Sequence, residues 1–212
     1  MSSFKAIKVE LYFKLIKLLK LFFYPSLVPF LFKGIMPSLE HEKSLKLIGK
    51  VGSLVDCGCN KGQFALFSYR HNIFSQYVAF DPIIYPYKVI NYLKKKNVKV
   101  FFSDYALSNE ETIKRFFLTK RDDSSSLKKP KNIASDYFSN VYLVGEKEVN
   151  VSKLSSFIDL ISNLIEPRLL KIDVQGNEFE LLKGAKEVLI MFKFIVIECT
   201  YFNLYENIEF KI

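Results

Sequence analysis

From residue 40 onward, short apolar runs alternate with longer stretches in which apolar residues recur every three or four positions, the marks of strands and amphipathic helices taken in turn. The apolar runs predict strands over residues 53–56, 77–80, 98–102, 169–174 and 194–198. The stretches between them predict helices over residues 63–69, 89–96, 154–164 and 178–189. In the middle the alternation breaks: residues 112–119 and 148–152, the latter with alternating Val149 and Val151, predict two further strands, and residues 121–131 a polar loop. Strands and helices in alternation predict an α/β domain, with a mostly parallel sheet and helices on both faces. No internal repeat is visible.

Residues 1–36 follow a different rule and read as a basic, amphipathic extension ahead of a domain over residues 37–212. Lysines at 5, 8, 14, 17 and 20 interrupt every apolar run that could span a bilayer, and the uncharged part, residues 21–32, is short and holds Pro25 and Pro29. The same lysines argue against a cleaved signal peptide. Glu10, Lys14 and Lys17 fall at i, i+4 and i+7, so a helix here has one polar stripe and a wide apolar face. That face suits a membrane surface, through residues 4–23, and equally suits packing on the domain or on a second subunit.

Composition narrows the classes. A chain of 212 residues, half of them hydrophobic, builds one full core. Cys57, Cys59 and Cys199 form no disulfide framework and fit a reducing compartment, which places the protein in the cytoplasm or at the inner face of its membrane. Cys57 and Cys59 lack the paired spacing and the further ligands of a zinc site, so no metal is expected. The net charge of +9 would attract nucleic acid, an anionic membrane or an acidic substrate. With no arginine-rich tract, zinc-finger spacing or RNA-binding aromatic signature, nucleic acid is not expected.

The candidate chemistry begins at LVDCGCNKGQF, residues 54–64, where a strand ends on Asp56 and the chain turns through Gly58 and Gly62 into a helix. In a doubly wound sheet this is where a nucleotide-like ligand lies, and the next predicted strand ends on Asp81, placed to accept hydrogen bonds from a ribose diol. The turn is not G-x-G-x-x-G. A carboxylate at Asp56 would repel a diphosphate, which argues against a nicotinamide-dependent oxidoreductase, and would suit a cationic ligand such as S-adenosylmethionine. Lys171 shares a strand face with Asp173, so a buried charge pair is expected there.

With VAFDP, ALSNEE, RDDSSSL, LLKIDVQGNEFELLKGA and IVIECTYFNLYE following in order, the sequence resembles the FkbM family of S-adenosylmethionine-dependent methyltransferases from about residue 40 to residue 206. The resemblance implies a Rossmann-like class I methyltransferase fold and O-methylation of a sugar, glycan or related hydroxyl compound. It implies a methionine-end pocket from Asp56, Gly58, Asn60, Gly62 and Gln63, a ribose contact at Asp81, and adenine neighbours at Asp104, Ala106 and Leu107. Cys57 and Cys59 stand where the family more often has small apolar residues. Glu40 and His41 resemble an E-H pair that precedes the first strand in some members.

Methyl transfer to a hydroxyl needs in-line positioning and gains from a base, for which Asp173 and His41 are the candidates. The loop with Asp123, Ser124, Ser125 and Ser126, together with Glu178, offers short polar groups for a polyol acceptor. The family normally continues past the LYE segment with a helix and two closing strands, whereas this sequence ends at Ile212, so the sheet is expected to lack its last two strands. An uncovered edge there would favour a homodimer, or a methyltransferase-like domain with a binding or membrane-associated role in place of catalysis.

Overall fold

The computed structural model describes residues 12, 15–72, 74–132, 134, 138, 140–199 and 204–206. Its strands are β1 (Ser53–Cys57), β2 (Gln76–Phe80), β3 (Lys99–Ser103), β4 (Ala106–Leu107), β5 (Thr112–Thr119), β6 (Leu143–Ser152), β7 (Arg168–Ile172) and β8 (Phe194–Ile197). Five of them form a parallel sheet in the order β3-β2-β1-β7-β8. Every position of β1 and β7 is buried, the charged Asp56, Arg168 and Lys171 included, as expected of inner strands in a sheet covered on both faces. The chain builds outward from β1 in one direction through β2 and β3, then crosses to β7 and β8 on the other side. The carboxyl ends of β1 and β7 therefore flank the crevice where such sheets hold ligands.

Successive strand residues face opposite ways, and each face has its own core. On one, Leu54, Tyr77 and Leu169 pack under helices α1 (Glu42–Ile48), α2 (Gln63–Asn72) and α3 (Tyr87–Lys94). On the other, Val55, Val78 and Leu170 pack under α4 (Ile158–Ser162) and α5 (Glu178–Gly184). The fold is thus α/β and Rossmann-like. The N-terminal segment is helical over residues 15–21, and Leu21, Leu27, Phe30 and Ile35 lie in the same core as Leu54 and Phe67. Among the described residues, no helix is long and apolar enough to cross a membrane, and no strand pairs with the outer edge of β8.

A second sheet, in the order β4-β6-β5, leans on the first. Its main part is the antiparallel pairing of β5 with β6, which brings Thr112 opposite Val151 and Thr119 opposite Leu143. β6 begins well before the predicted residue 148 because its first residues are largely exposed on both faces and are held by backbone pairing, which leaves no apolar alternation to read. β4, two residues long, is too short for any pattern. The predicted helix over 154–164 is a 3-10 turn, Leu154–Phe157, leading into α4. α5 stops at Gly184, where the carbonyl of Ser108 comes against the backbone, short of the predicted residue 189.

Gly58 is the tightest point between β1 and β7. Its φ is +78°, and a Cβ there would stand 1.9 Å from the Asp173 carbonyl oxygen. Gly34 has a similar φ of +74° with nothing within 4 Å. Gly34→Ala should therefore cost about 1–2 kcal/mol, the left-handed backbone penalty alone, while Gly58→Ala should cost clearly more because backbone must move. Urea unfolding of the two variants side by side checks this; equal losses would refute the close approach.

Candidate active site

The turn after β1 is tied to the loop after β2. The N–H groups of Gly58 and Cys59 donate to the Phe80 carbonyl at 2.9 and 3.1 Å. Asp81 Oδ2 accepts from the Asn60 N–H at 2.9 Å, and its Oδ1 accepts from Ile83 and Ile84 at 2.9 and 2.7 Å. Asn60, at φ 45°, turns its own Oδ1 onto the Lys61 N–H and the Gln63 amide. Burial pushes the Asp81 carboxyl up, against the pull of the Ile84, Ile83 and Asn60 amides. A carboxylate has about four lone-pair sites, so three amides leave Asp81 able to accept one more bond.

Beyond β1 and β7 lies a cluster of buried charge. Lys171 Nζ stands 2.9 Å from Asp173 Oδ2, 3.8 Å from Asp56 Oδ1 and 3.5 Å from the Gly58 carbonyl, so the charge pair expected from strand spacing is present. Register explains the third group, because Asp56 on β1 sits directly opposite Lys171 on β7. Asp56 is fully buried and accepts from Tyr77 Oη at 3.2 Å on Oδ2, while its Oδ1 has no hydrogen-bond donor among the described residues. Burial lifts its pKa to about 6, although Lys171 and Tyr77 pull it down. Burial would lower the Lys171 ammonium, but Asp173, Asp56 and Glu198 together hold it above its ordinary value. Burial also raises Asp173 against the pull of Lys171, with Glu198 adding to the rise.

His41 joins the cluster from the opposite end of the sequence. Its Nε2 is 2.8 Å from Glu198 Oε1, just past β8, and its ring meets Phe64 edge-on at 5.0 Å between centroids. Burial alone would raise Glu198, but the His41 hydrogen bond and Lys171 hold it below the usual carboxylate range. His41, Glu198, Lys171, Asp173 and Asp56 therefore form one charged patch across the ends of β1, β7 and β8.

The serine-rich loop is docked rather than free. Ser126 Oγ donates to the Gln175 carbonyl at 2.7 Å, Ser124 offers its carbonyl to Tyr205 Oη at 3.0 Å, and Ser125 Oγ accepts from the Thr119 N–H at 3.1 Å. Asp122 pairs with Lys61 of the glycine turn at 2.5 Å. Asp123 takes both oxygens to Arg121, at 2.6 and 3.2 Å. The loop thus straps the β1 turn to the segment after β7. Glu178 ties down the turn that precedes its helix, accepting from the Val174 and Gly176 N–H groups at 3.2 and 3.0 Å, and burial raises its pKa.

Three residues stand apart from the cluster. Ala106 and Leu107 are buried, with Ala106 among Phe116, Val149 and Val151 and Leu107 in the α5-side core. Asp104 is exposed and lines an open cavity of about 300 Å³ beside Pro82, Ile113 and Lys147, next to Asp81 in sequence. Two tyrosines were not singled out from the sequence. Tyr77 holds Asp56, and Tyr205 Oη, 2.9 Å from Gln175 Oε1, braces the amide that donates to Asp173 Oδ1 at 2.5 Å. Only a residue-by-residue reading of strand register, for Tyr77, or of the final NLYE segment, for Tyr205, could have raised them.

Removing the Lys171 ammonium leaves the buried Asp56 and the partly buried Asp173 without their shared cation. Lys171→Met should cost about 3–5 kcal/mol at neutral pH. The loss should shrink on acidification: Asp56 and Asp173 have raised folded pKa values, so below them the folded variant holds protons that neutralise the orphaned charges. Denaturation curves from pH 4 to 8 (a range on the order of that between the ordinary carboxylate and histidine values) test this, and a loss independent of pH would refute the charge account.

The chain matches the Methyltransferase FkbM domain over residues 56–210. Among solved structures it is similar to a methyltransferase FkbM from Methylobacillus flagellatus, at 14% identity and a TM-score of 0.43, over 69% of this chain and 32% of that one. The present chain thus spans about a third of that protein's length. No curated protein matches the chain significantly. The family match begins on Asp56 of the glycine turn and runs through the Lys171–Asp173 segment and Tyr205, and the chain belongs to the FkbM methyltransferase family.

Proposed function

We propose that the chain transfers a methyl group from S-adenosylmethionine to a hydroxyl of a glycan or a related small molecule. The observation that carries this reading is the charge balance at the strand ends, where Asp56, Asp173 and Glu198 surround the single ammonium of Lys171. Such a site suits a cation. The donor set fits the cofactor: Asp56 Oδ1 is buried without a hydrogen-bond donor among the described residues, and Asp81 retains an acceptor site for a diol. Asp56, Gly58, Asn60, Gly62 and Gln63 would hold its methionine end and Asp81 its ribose. When bound, the cofactor supplies a methyl carbon activated by a sulfonium leaving group.

The chain's own part is positioning and proton removal. His41 has the geometry of an oriented base, with a carboxylate on one ring nitrogen and an aromatic edge against its plane. Asp173 is held on both oxygens, by Lys171 and by Gln175, which suits it to fixing the acceptor hydroxyl. The docked strap, with Ser124 and Ser125 above the glycine turn and Lys128 and Lys129 just beyond, would present hydroxyl and ammonium donors to a polyol or acidic sugar.

Calorimetric titration with S-adenosylmethionine, S-adenosylhomocysteine and NAD tests the cofactor. The first two should bind and NAD should not. The sulfonium form should be preferred while Asp56 is ionised, and that preference should fade as the pH falls through about 6, where Asp56 takes up a proton. Asp56→Asn should flatten the dependence; binding of NAD alone would overturn the reading. For the base, His41→Asn should lower turnover by about 10²–10⁴-fold with cofactor affinity intact, read as S-adenosylhomocysteine formed over a panel of mono- and oligosaccharides. An unchanged rate would move the role to Asp173.

A further inference from the structure

The helix over residues 15–21 is held to the domain along one side only. Lys17 Nζ pairs with Glu40 at 2.9 Å, and Leu21 is buried in the core beside Leu27 and Phe30. The outward side carries Leu15, Leu18 and Leu19 at 55%, 44% and 54% exposure, and Phe22 and Phe23 follow at 80% each. Positions 15, 18, 19 and 22 are spaced as neighbours on one helix face, so these side chains form a stripe and are not scattered. Phe32, 89% exposed, and Lys33 follow at the end of the next helical turn, Val28–Leu31. Single exposed leucines need no explanation, whereas a contiguous apolar stripe marks a contact surface.

Charge identifies what covers it. Residues 1–33 hold six lysines against one glutamate, with Lys14 and Lys20 interleaved among the apolar positions. Protein–protein interfaces are depleted of lysine, while helices that lie on membranes combine a lysine-rich flank with a leucine and phenylalanine face. We propose that this stripe docks the protein on an anionic membrane surface, with Leu15, Leu19, Phe22 and Phe23 entering the headgroup region and the lysines meeting the lipid phosphates. Glu40, which pairs with Lys17 of the helix, directly precedes His41 of the strand-end site. If the methyl-transfer reading holds, an acceptor anchored in the same bilayer would be within the enzyme's reach, but the docking itself does not depend on that reading.

Co-sedimentation of the full chain with vesicles of phosphatidylcholine, with or without phosphatidylglycerol, tests the proposal without any methyl-transfer assay. The protein should pellet with the anionic vesicles, bind the neutral ones about tenfold more weakly, and release as salt is raised. Phe22→Ser/Phe23→Ser should weaken anionic binding by about tenfold or more, with far-UV dichroism and thermal midpoint unchanged since both rings are exposed. Lys20→Glu, which leaves the apolar stripe intact, should weaken it several-fold. Protein that stays in the supernatant with both vesicles would overturn the proposal. So would sedimentation-velocity evidence of a dimer that the double phenylalanine variant converts to monomer, because a second copy would then cover the stripe.

Discussion

A lysine ammonium buried at the end of a central parallel strand is a constraint that the surrounding structure has to satisfy. Moving such a charge out of water costs several kcal/mol unless opposite charge and hydrogen bonds replace the lost hydration. Lys171 meets that demand through Asp173 on its own strand, Asp56 across the β1–β7 ladder and the Gly58 carbonyl at the start of the turn. Each partner is available only because of something local. Asp173 is two residues further along one strand face, Asp56 stands at the paired register position, and the carbonyl is presented by a turn whose first glycine lies against the Asp173 backbone. The site is therefore a consequence of how β1 and β7 are joined, and the glycine turn and the charge cluster are one structure.

The outer layer is organised by the same cluster. Gln175, at φ 55°, directs its amide onto Asp173, Tyr205 braces Gln175, and the serine-rich strap closes on the Gln175 and Val174 carbonyls through Ser126. The strap's far end is tied to the glycine turn by Lys61 and Asp122. Contacts from β1, β7, the strap and the chain near residue 205 thus converge on the same few atoms. Polar networks of this kind fix one arrangement of their members when every group is satisfied.

Much of this was legible from sequence because the strands of the parallel sheet are short, mostly apolar segments, with β1 and β7 buried at every position. β1, β2, β7 and β8 were found within two residues, and β5 at its observed bounds. The Lys171–Asp173 pair was legible from strand spacing alone. What failed to show were features with no local period. β4 is two residues long, the first half of β6 is exposed on both sides, and α1 is a short helix between two turns. The same holds for the site. Asp56 and Asp81 announce themselves by ending strands, but the pairing of His41 with Glu198 joins residues far apart in sequence, and the docking of the strap depends on tertiary contacts that composition reads as an ordinary polar loop.

The cluster's imbalance ties stability to ligand chemistry. Three carboxylates face one buried ammonium, and burial lifts Asp56 and Asp173 toward neutrality while His41 and Lys171 keep Glu198 low. Around neutral pH the chain alone carries surplus negative charge in a poorly hydrated place, a cost to the folded state that replacement by apolar residues would remove. A cation entering the site reverses the sign of that term, and a ligand that binds only the folded form adds its binding free energy to stability. The family match is to a methyltransferase domain, and the carboxylates gathered around Lys171 make the strand-end site more favourable to a cation than to an anion. An anionic ligand would meet the same carboxylates as repulsion, and a neutral one would leave their surplus charge uncompensated. The arrangement thus discriminates ligands by charge independently of any sequence motif.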